Sequence, residues 1–192
     1  MFLLTHPSDA EIERFLARAR ESVLSYTEVG ATSGLIPPLF NVDHNRVQLG
    51  HGERTWGKAI QAIREWKMFD LDWLTLHPAS TPIRAGENVA VLARHLHFYS
   101  LNACRIVYVL EETATLQRFG FAYGTLEDHA ESGEERFTVE WNHETGEVWY
   151  DILAFSRPNH FLARIGYPFS RALQKKFAAD SKRAMLNAVA GG

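Results

Sequence analysis

The 192-residue chain holds a single cysteine, Cys104, so no disulfide can form within it, and this usage suits a reducing compartment. Neither sign of charge prevails: 20 lysines and arginines stand against 23 aspartates and glutamates, a formal charge of −3. That balance offers no electrostatic footprint for nucleic acid or an acidic lipid surface. No stretch approaches the roughly 20 apolar residues that a membrane-crossing helix needs. "MFLLTHP" has no basic leader and too short an apolar run for a secretion signal. The G-x-S-x-G elbow, the metalloprotease histidine pair and the dinucleotide fingerprint are missing as well. No repeat, linker or low-complexity segment divides the chain. The expectation is one cytoplasmic domain over residues 1–192, a monomer or small homo-oligomer with no nucleic-acid partner, membrane span, cofactor or metal.

What is present is a hydrophobic share of 46%, with aromatics at 12%, enough for one sizeable core. "SDAEIERFLARARESVL" predicts a helix over 8–25, an addition to a core of about 40–188. Ser8 and Glu11 have capping-box spacing, and Ile12, Phe15, Leu16, Ala19 and Val23 fall on one stripe. "YTEVGATSGLIPPLF" is a loop, broken by Gly30, Gly34 and Pro37-Pro38. "HNRVQLG" reads as a strand and "TWGKAIQAIREW" as a helix with Trp56, Ala59, Ile60 and Ile63 at helical spacing. In "FDLDWLTL", Phe69, Leu71 and Trp73 alternate with aspartates, the period of a strand.

From "VAVLARHLHF" to "EVWYDILAFS", five apolar segments follow one another with short turns. Strands so close in sequence pair antiparallel, because parallel crossovers need a dozen or more linking residues. "SRP" at 156–158 ends the last of them. "NHFLARIGYPFSRALQKKFAADSKRAMLNAV" carries a stripe of Leu162, Ile165, Phe169, Leu173, Phe177 and Ala184, a long amphipathic helix that Pro168 kinks or restarts. Lys175, Lys176, Lys182 and Arg183 form its solvated face. The order predicts an α+β fold: a seven-stranded curved antiparallel sheet wrapped around the long C-terminal helix, the helix-grip plan, with an apolar space between them.

"GHGERTWGKA" comes within one residue of a phosphate-binding loop. Glu53 and Trp56 are poor neighbours for a triphosphate, and Ala59 has no oxygen for magnesium. Turn and packing glycines explain the segment better. His95 and His97, two apart on an expected strand, share a face as metal-binding pairs do, but no third ligand follows from the sequence. In "GFAYGTLEDHAESGEERF", Phe119, Phe121, Tyr123 and Thr125 line one strand face, and Gly120, Ala122 and Gly124 leave the other nearly bare. Glycines inside a strand mark a bulge, a bend or a close approach. The ringed face suggests a pocket wall with Tyr108, Phe121, Tyr123, Thr125 and Trp141 as ligand contacts; plain core packing is the competing account. His129 with Glu134 or Glu135 makes an acid–base set. Only one of the two glutamates can point inward, in the company of Thr138 and Glu140, and it needs Arg105 or another partner.

"GHGERTWGKAIQAIREWKMF", "CRIVYVLEE", "RFGFAYGTLEDHAESGEERFTVEW" and "AFSRPNHFLARIGYPFSRALQKKFAADSKRAM" together resemble the DUF1990 (UPF0548) family over about Tyr26–Met185. The resemblance implies the START-like, Bet v 1-like superfamily, whose members commonly hold lipids or other apolar molecules between sheet and helix. It implies no particular reaction. The expected function is binding of a small apolar ligand or lipid in that cavity. The alternatives are an enzyme of hydrolase or cyclase type in the same cavity and a protein-interaction module.

Overall fold

The structure, a computed structural model, describes residues 1–159 and 167–191; side chains are described from Ser170 onward in the second stretch. Eight strands form one sheet: β1 (Phe2–Leu3), β2 (Asn41–His51), β3 (Leu74–His77), β4 (Asn88–Arg94), β5 (Tyr99–Glu112), β6 (Leu116–Thr125), β7 (Glu131–Asn142) and β8 (Glu147–Pro158). The helices are α1 (Asp9–Ala19), α2 (Gly52–Arg64) and α3 (Tyr167–Ala190). Strand order is β2-β8-β7-β6-β5-β4-β3, every pair antiparallel, and short β1 adds to β5 off this path. The seven-stranded curled sheet with a C-terminal helix is the expected architecture; β1 was not foreseen.

The concave face carries the larger core. Ala59, Ile63, Trp66 and Phe69 from α2 and the turn after it meet Phe119, Phe121 and Phe137 of the sheet, joined by Met185 and Val189 of α3. Two helical segments therefore share the face expected to take α3 alone. The buried stripe of α3 runs through Ala178, Ser181, Met185 and Val189, one position on from the expected Ala184, and Tyr150 and Ser181 hydroxyls lie 2.9 Å apart beneath it. Leu162 and Ile165 lie outside the described residues, as does the side chain of Phe169.

On the convex face, Ile12, Phe15 and Ala19 of α1 pack on Ala90, Leu92, Leu101 and Ala103. The capping box forms as expected: the Ser8 amide donates to Glu11 Oε2 at 2.7 Å. The helix stops at Ala19 rather than Ser25, and Val23 is exposed, because Leu24 turns away to bridge Leu126. Phe69 closes a short 3-10 turn (Lys67–Phe69), so the expected strand starts only at Leu74. His95 and His97 fall in the β4–β5 turn, not on a strand; His95 Nε2 lies 2.8 Å from Ser100 Oγ and its ring stacks on Phe98. Among the described residues no three histidines, cysteines or carboxylates gather as a metal would need. No described helix is long and apolar enough to cross a membrane.

The near-match to a phosphate loop is not a loop. Gly52 through Ala59 are the first turns of α2, and the Lys58 ammonium donates to the Val189 carbonyl at 3.0 Å, joining α2 to α3.

Candidate functional site

Side chains alternate along a strand, so a transverse row across the sheet shares one face. One such row reads Asp43 (β2), Ala154 (β8), Glu135 (β7) and Tyr123 (β6). The next row toward α2 reads Asn45, Ile152, Phe137 and Phe121. Beyond the second row the concave face is filled by rings: Phe69 touches Phe137 and Trp66 touches Phe121. On the near side, beneath the first half of α3, lies a cavity of about 250 Å³. All seven strands of the main path contribute to it, from Asp43 to Leu74, and Leu173, Gln174 and Phe177 of α3 close it. Most of its wall is apolar, with Trp73, Val91 and Ile152 prominent.

Glu135 is the central polar group. Its Oε2 accepts the Tyr123 hydroxyl at 3.0 Å. Burial pushes its carboxyl up to about 7; the Tyr123 hydrogen bond works against this, and the charge of Asp43 adds to it. The same burial raises the Tyr123 phenol well above its usual range. His129 also lines the cavity, with its Nδ1 accepting the Glu131 amide at 3.0 Å. Burial, aided by the nearby N-terminal charge, lowers its pKa to about 4, so the imidazole is neutral at pH 7. Glu131 places a third carboxyl here. Its oxygens are out of solvent, and burial raises its pKa against the moderating hydroxyls of Ser170 and Ser156 and the charge of Arg171.

The expected site residues separate into three groups. Tyr123, Thr125, His129 and Glu135 border the cavity, although the Thr125 hydroxyl is taken up by Ser25 Oγ at 2.6 Å and the Gly133 amide at 2.9 Å. Phe121 and Trp141 share the concave face but stand in the filled half, where Trp141 packs near Trp56. Tyr108 and the Glu134 carboxylate are held on the other face, although Glu134 also borders the cavity. A bulge between Ile106 and Tyr108 adds one residue to β5 and turns Tyr108 to the convex side, where its hydroxyl meets Thr32 Oγ1 at 2.7 Å. Glu134 is 2% exposed and belongs to the convex face with Thr138 and Glu140. Its carboxylate accepts Tyr26 Oη at 2.7 Å, Gly30 N at 2.7 Å, Thr32 N at 3.0 Å and the Thr32 hydroxyl. That is a loop anchor with every lone pair engaged. The inward glutamate is Glu135, alongside Phe137 and Val139, and its partner is Tyr123. Arg105 lies on the convex face, bound to the Ala19 carbonyl at 2.9 Å and to Asn88.

The bare face of β6 receives neither α3 nor a tryptophan. A Cβ on Gly124 would fall 2.2 Å from Tyr26 Oη, and one on Gly120 would fall 2.1 Å from the Phe137 carbonyl oxygen. The first glycine admits the convex loop and the second lets neighbouring strands press together in the curl. Sequence reading missed Asp43, Asn45 and Glu131. The available signal was in "NVDHNRV", where polar residues hold the inward positions of an edge strand.

A family model described as a domain of unknown function (DUF1990) matches residues 25–184. A UPF0548 protein of Dictyostelium discoideum is 38% identical over 98% of this chain and 96% of its own length. One from Deinococcus radiodurans is likewise 38% identical, over 98% of this chain and 99% of its own. Among solved structures, Ara h 8.0201 superposes with a TM-score of 0.51 at 9% identity, over 80% of this chain and 99% of that one, a likeness of fold alone. Matched by the family model over most of its length and by relatives end to end, the chain belongs to the DUF1990 (UPF0548) family.

Proposed function

We propose that the protein binds a small, mostly apolar molecule in the cavity between the sheet and α3. The observation that carries this reading is the cavity itself: about 250 Å³ of space, apolar for most of its wall, with a few polar groups at one row. It falls just below the usual ligand-pocket sizes of roughly 300–1,000 Å³ and has their make-up of apolar walls and few convergent polar groups. Close packing is the rule in protein interiors, so a space of this size beside a filled half supports the reading. The helix-grip architecture supports the same reading by analogy.

Ala154 gives the test, since it sits between Asp43 and Glu135 on the cavity floor. Ala154→Phe puts a ring into the space. Native mass spectrometry of protein purified without detergent is expected to show a bound small molecule, and a fluorescent apolar probe is expected to bind the wild type and not the variant. Equal probe binding by the two proteins overturns the proposal. A second reading, acid–base turnover of the bound molecule, is favoured by Glu135, whose pKa near 7 suits proton transfer at neutral pH. It requires the bound species to change mass on incubation; an unchanged mass sinks it.

A further inference from the structure

Resting on that reading, we propose that the cavity selects an amphiphile with an ammonium or other proton-donating head and rejects carboxylates and phosphates. The described residues lining it include Asp43, Glu131 and Glu135 and no lysine or arginine. An anionic head would meet no lysine or arginine among the described lining residues, and it would face carboxylates.

Among the described residues, the cations that come near are already engaged. Arg171 of α3 clasps Asp43 with both guanidinium nitrogens, Nη2 at 2.7 Å from Oδ1, and also bonds Gln174 at 2.7 Å. Lys182 reaches the amide oxygen of Asn45 at 3.5 Å. The N-terminal ammonium donates to the Leu101 carbonyl at 2.8 Å. Asp43 is thus ion-paired with Arg171, whose charge also reaches Glu131, and Glu135 is the lining carboxyl with no cation bonded to it among the described residues.

The hydrogen-bonding inventory agrees with the charge. Glu135 gives Oε2 to Tyr123, while its Oε1 has no partner among the described residues. The two Glu131 oxygens are out of solvent, with the Ser170 and Ser156 hydroxyls beside them. An R–NH3⁺ head offers three donors to the carboxyls of this wall, Glu135 Oε1 first among them. Charge-assisted bonds of this kind are roughly twice as strong as neutral ones. A hydroxyl head satisfies one acceptor and is tolerated. A carboxylate head satisfies none and adds a like charge.

Octylamine, 1-octanol and octanoate share one tail and differ only in the head, so they separate the two readings. Each displaces a fluorescent apolar probe from the protein at pH 8, followed by titration. The expected order is octylamine at least tenfold tighter than 1-octanol, and octanoate at least tenfold weaker. Glu135→Gln, which keeps shape and volume, is expected to cut the amine advantage at least fivefold and leave 1-octanol within twofold; Glu131→Gln gives a second variant should the first unfold. Octanoate binding as tightly as octylamine, with 1-octanol bound, overturns the head-group selection and leaves the cavity reading intact. No displacement by any of the three overturns the cavity reading and the selection with it.

Discussion

Glu134 and Glu135 are consecutive in sequence and opposite in environment, because a strand sends neighbours to opposite faces. The Glu134 charge is surrounded by four donors from Tyr26, Gly30 and Thr32, so it fastens the loop that covers the convex face. The Glu135 charge has one phenol and a row of apolar neighbours. Its pKa in the fold is about 7 against 4.5 in the unfolded chain, so the native state holds the extra proton between those values. A native state that binds more protons loses stability as pH rises. The penalty is absent below pH 4.5, grows through the window and is complete above 7, where linkage makes it about 3 kcal/mol. Glutamine carries no such proton. Glu135→Gln is therefore expected to be stabilising at pH 8.5 and near neutral at pH 4.5, read as the shift in urea midpoint at the two pH values. An equal shift at both would show that the carboxyl is not desolvated in the way the cavity implies. The pair also shows what sequence parity can do: that only one glutamate points inward was legible, and which one depended on knowing that Phe137 and Val139 mark the concave side.

Elements were read best where hydrophobic alternation or helical spacing ran unbroken, as in β6, β7, β8 and α2. They were misread where one residue breaks the count. The bulge between Ile106 and Tyr108 has no signature in "CRIVYVLEE", yet it moves Tyr108 from the expected pocket to the opposite face. "FDLDWLTL" has strand period throughout, but Phe69 is drawn into the ring cluster with Trp66 and Phe137, so the chain turns there before pairing. Glycines separate the same way, by what surrounds them. Gly57 lies mid-helix in α2 with nothing within 4 Å of where a Cβ would sit, so its only effect on the helix is entropic. Gly57→Ala is expected to stabilise by about 1 kcal/mol, which also runs against any phosphate-binding role for that segment. Gly120 has a backbone oxygen where a Cβ would go, and Gly120→Ala is expected to cost about 2–4 kcal/mol through forced separation of β6 and β7. Thermal unfolding of both variants checks the contrast; effects of the same sign would contradict the packing described here.

At the scale of the whole molecule the two faces of the sheet are treated unequally. The convex side is sealed by α1 and the loop through Tyr26 and Phe40, with Phe155 between their rings. The concave side is filled under α2 and the second half of α3, and under the first half of α3 it is left open. An empty space costs stability, at about 24 cal/mol per Å³ in well-measured cases, since the lining atoms forgo contacts they would otherwise make. A chain optimised for stability alone would place larger residues at Ala154, Ala93 and Ala178, all of which border the opening. Their smallness is what keeps it. Ala154→Phe, expected above to abolish probe binding, should for the same reason stabilise the unliganded protein, by about 1–2 kcal/mol or roughly 3–6 °C in Tm. The two readouts must move in opposite directions: binding down, melting temperature up. A variant that loses binding and melts lower would mean that the ring does not fit the space and that the opening is smaller or more rigid than the lining residues describe. A variant that melts higher and still binds would put the ligand elsewhere.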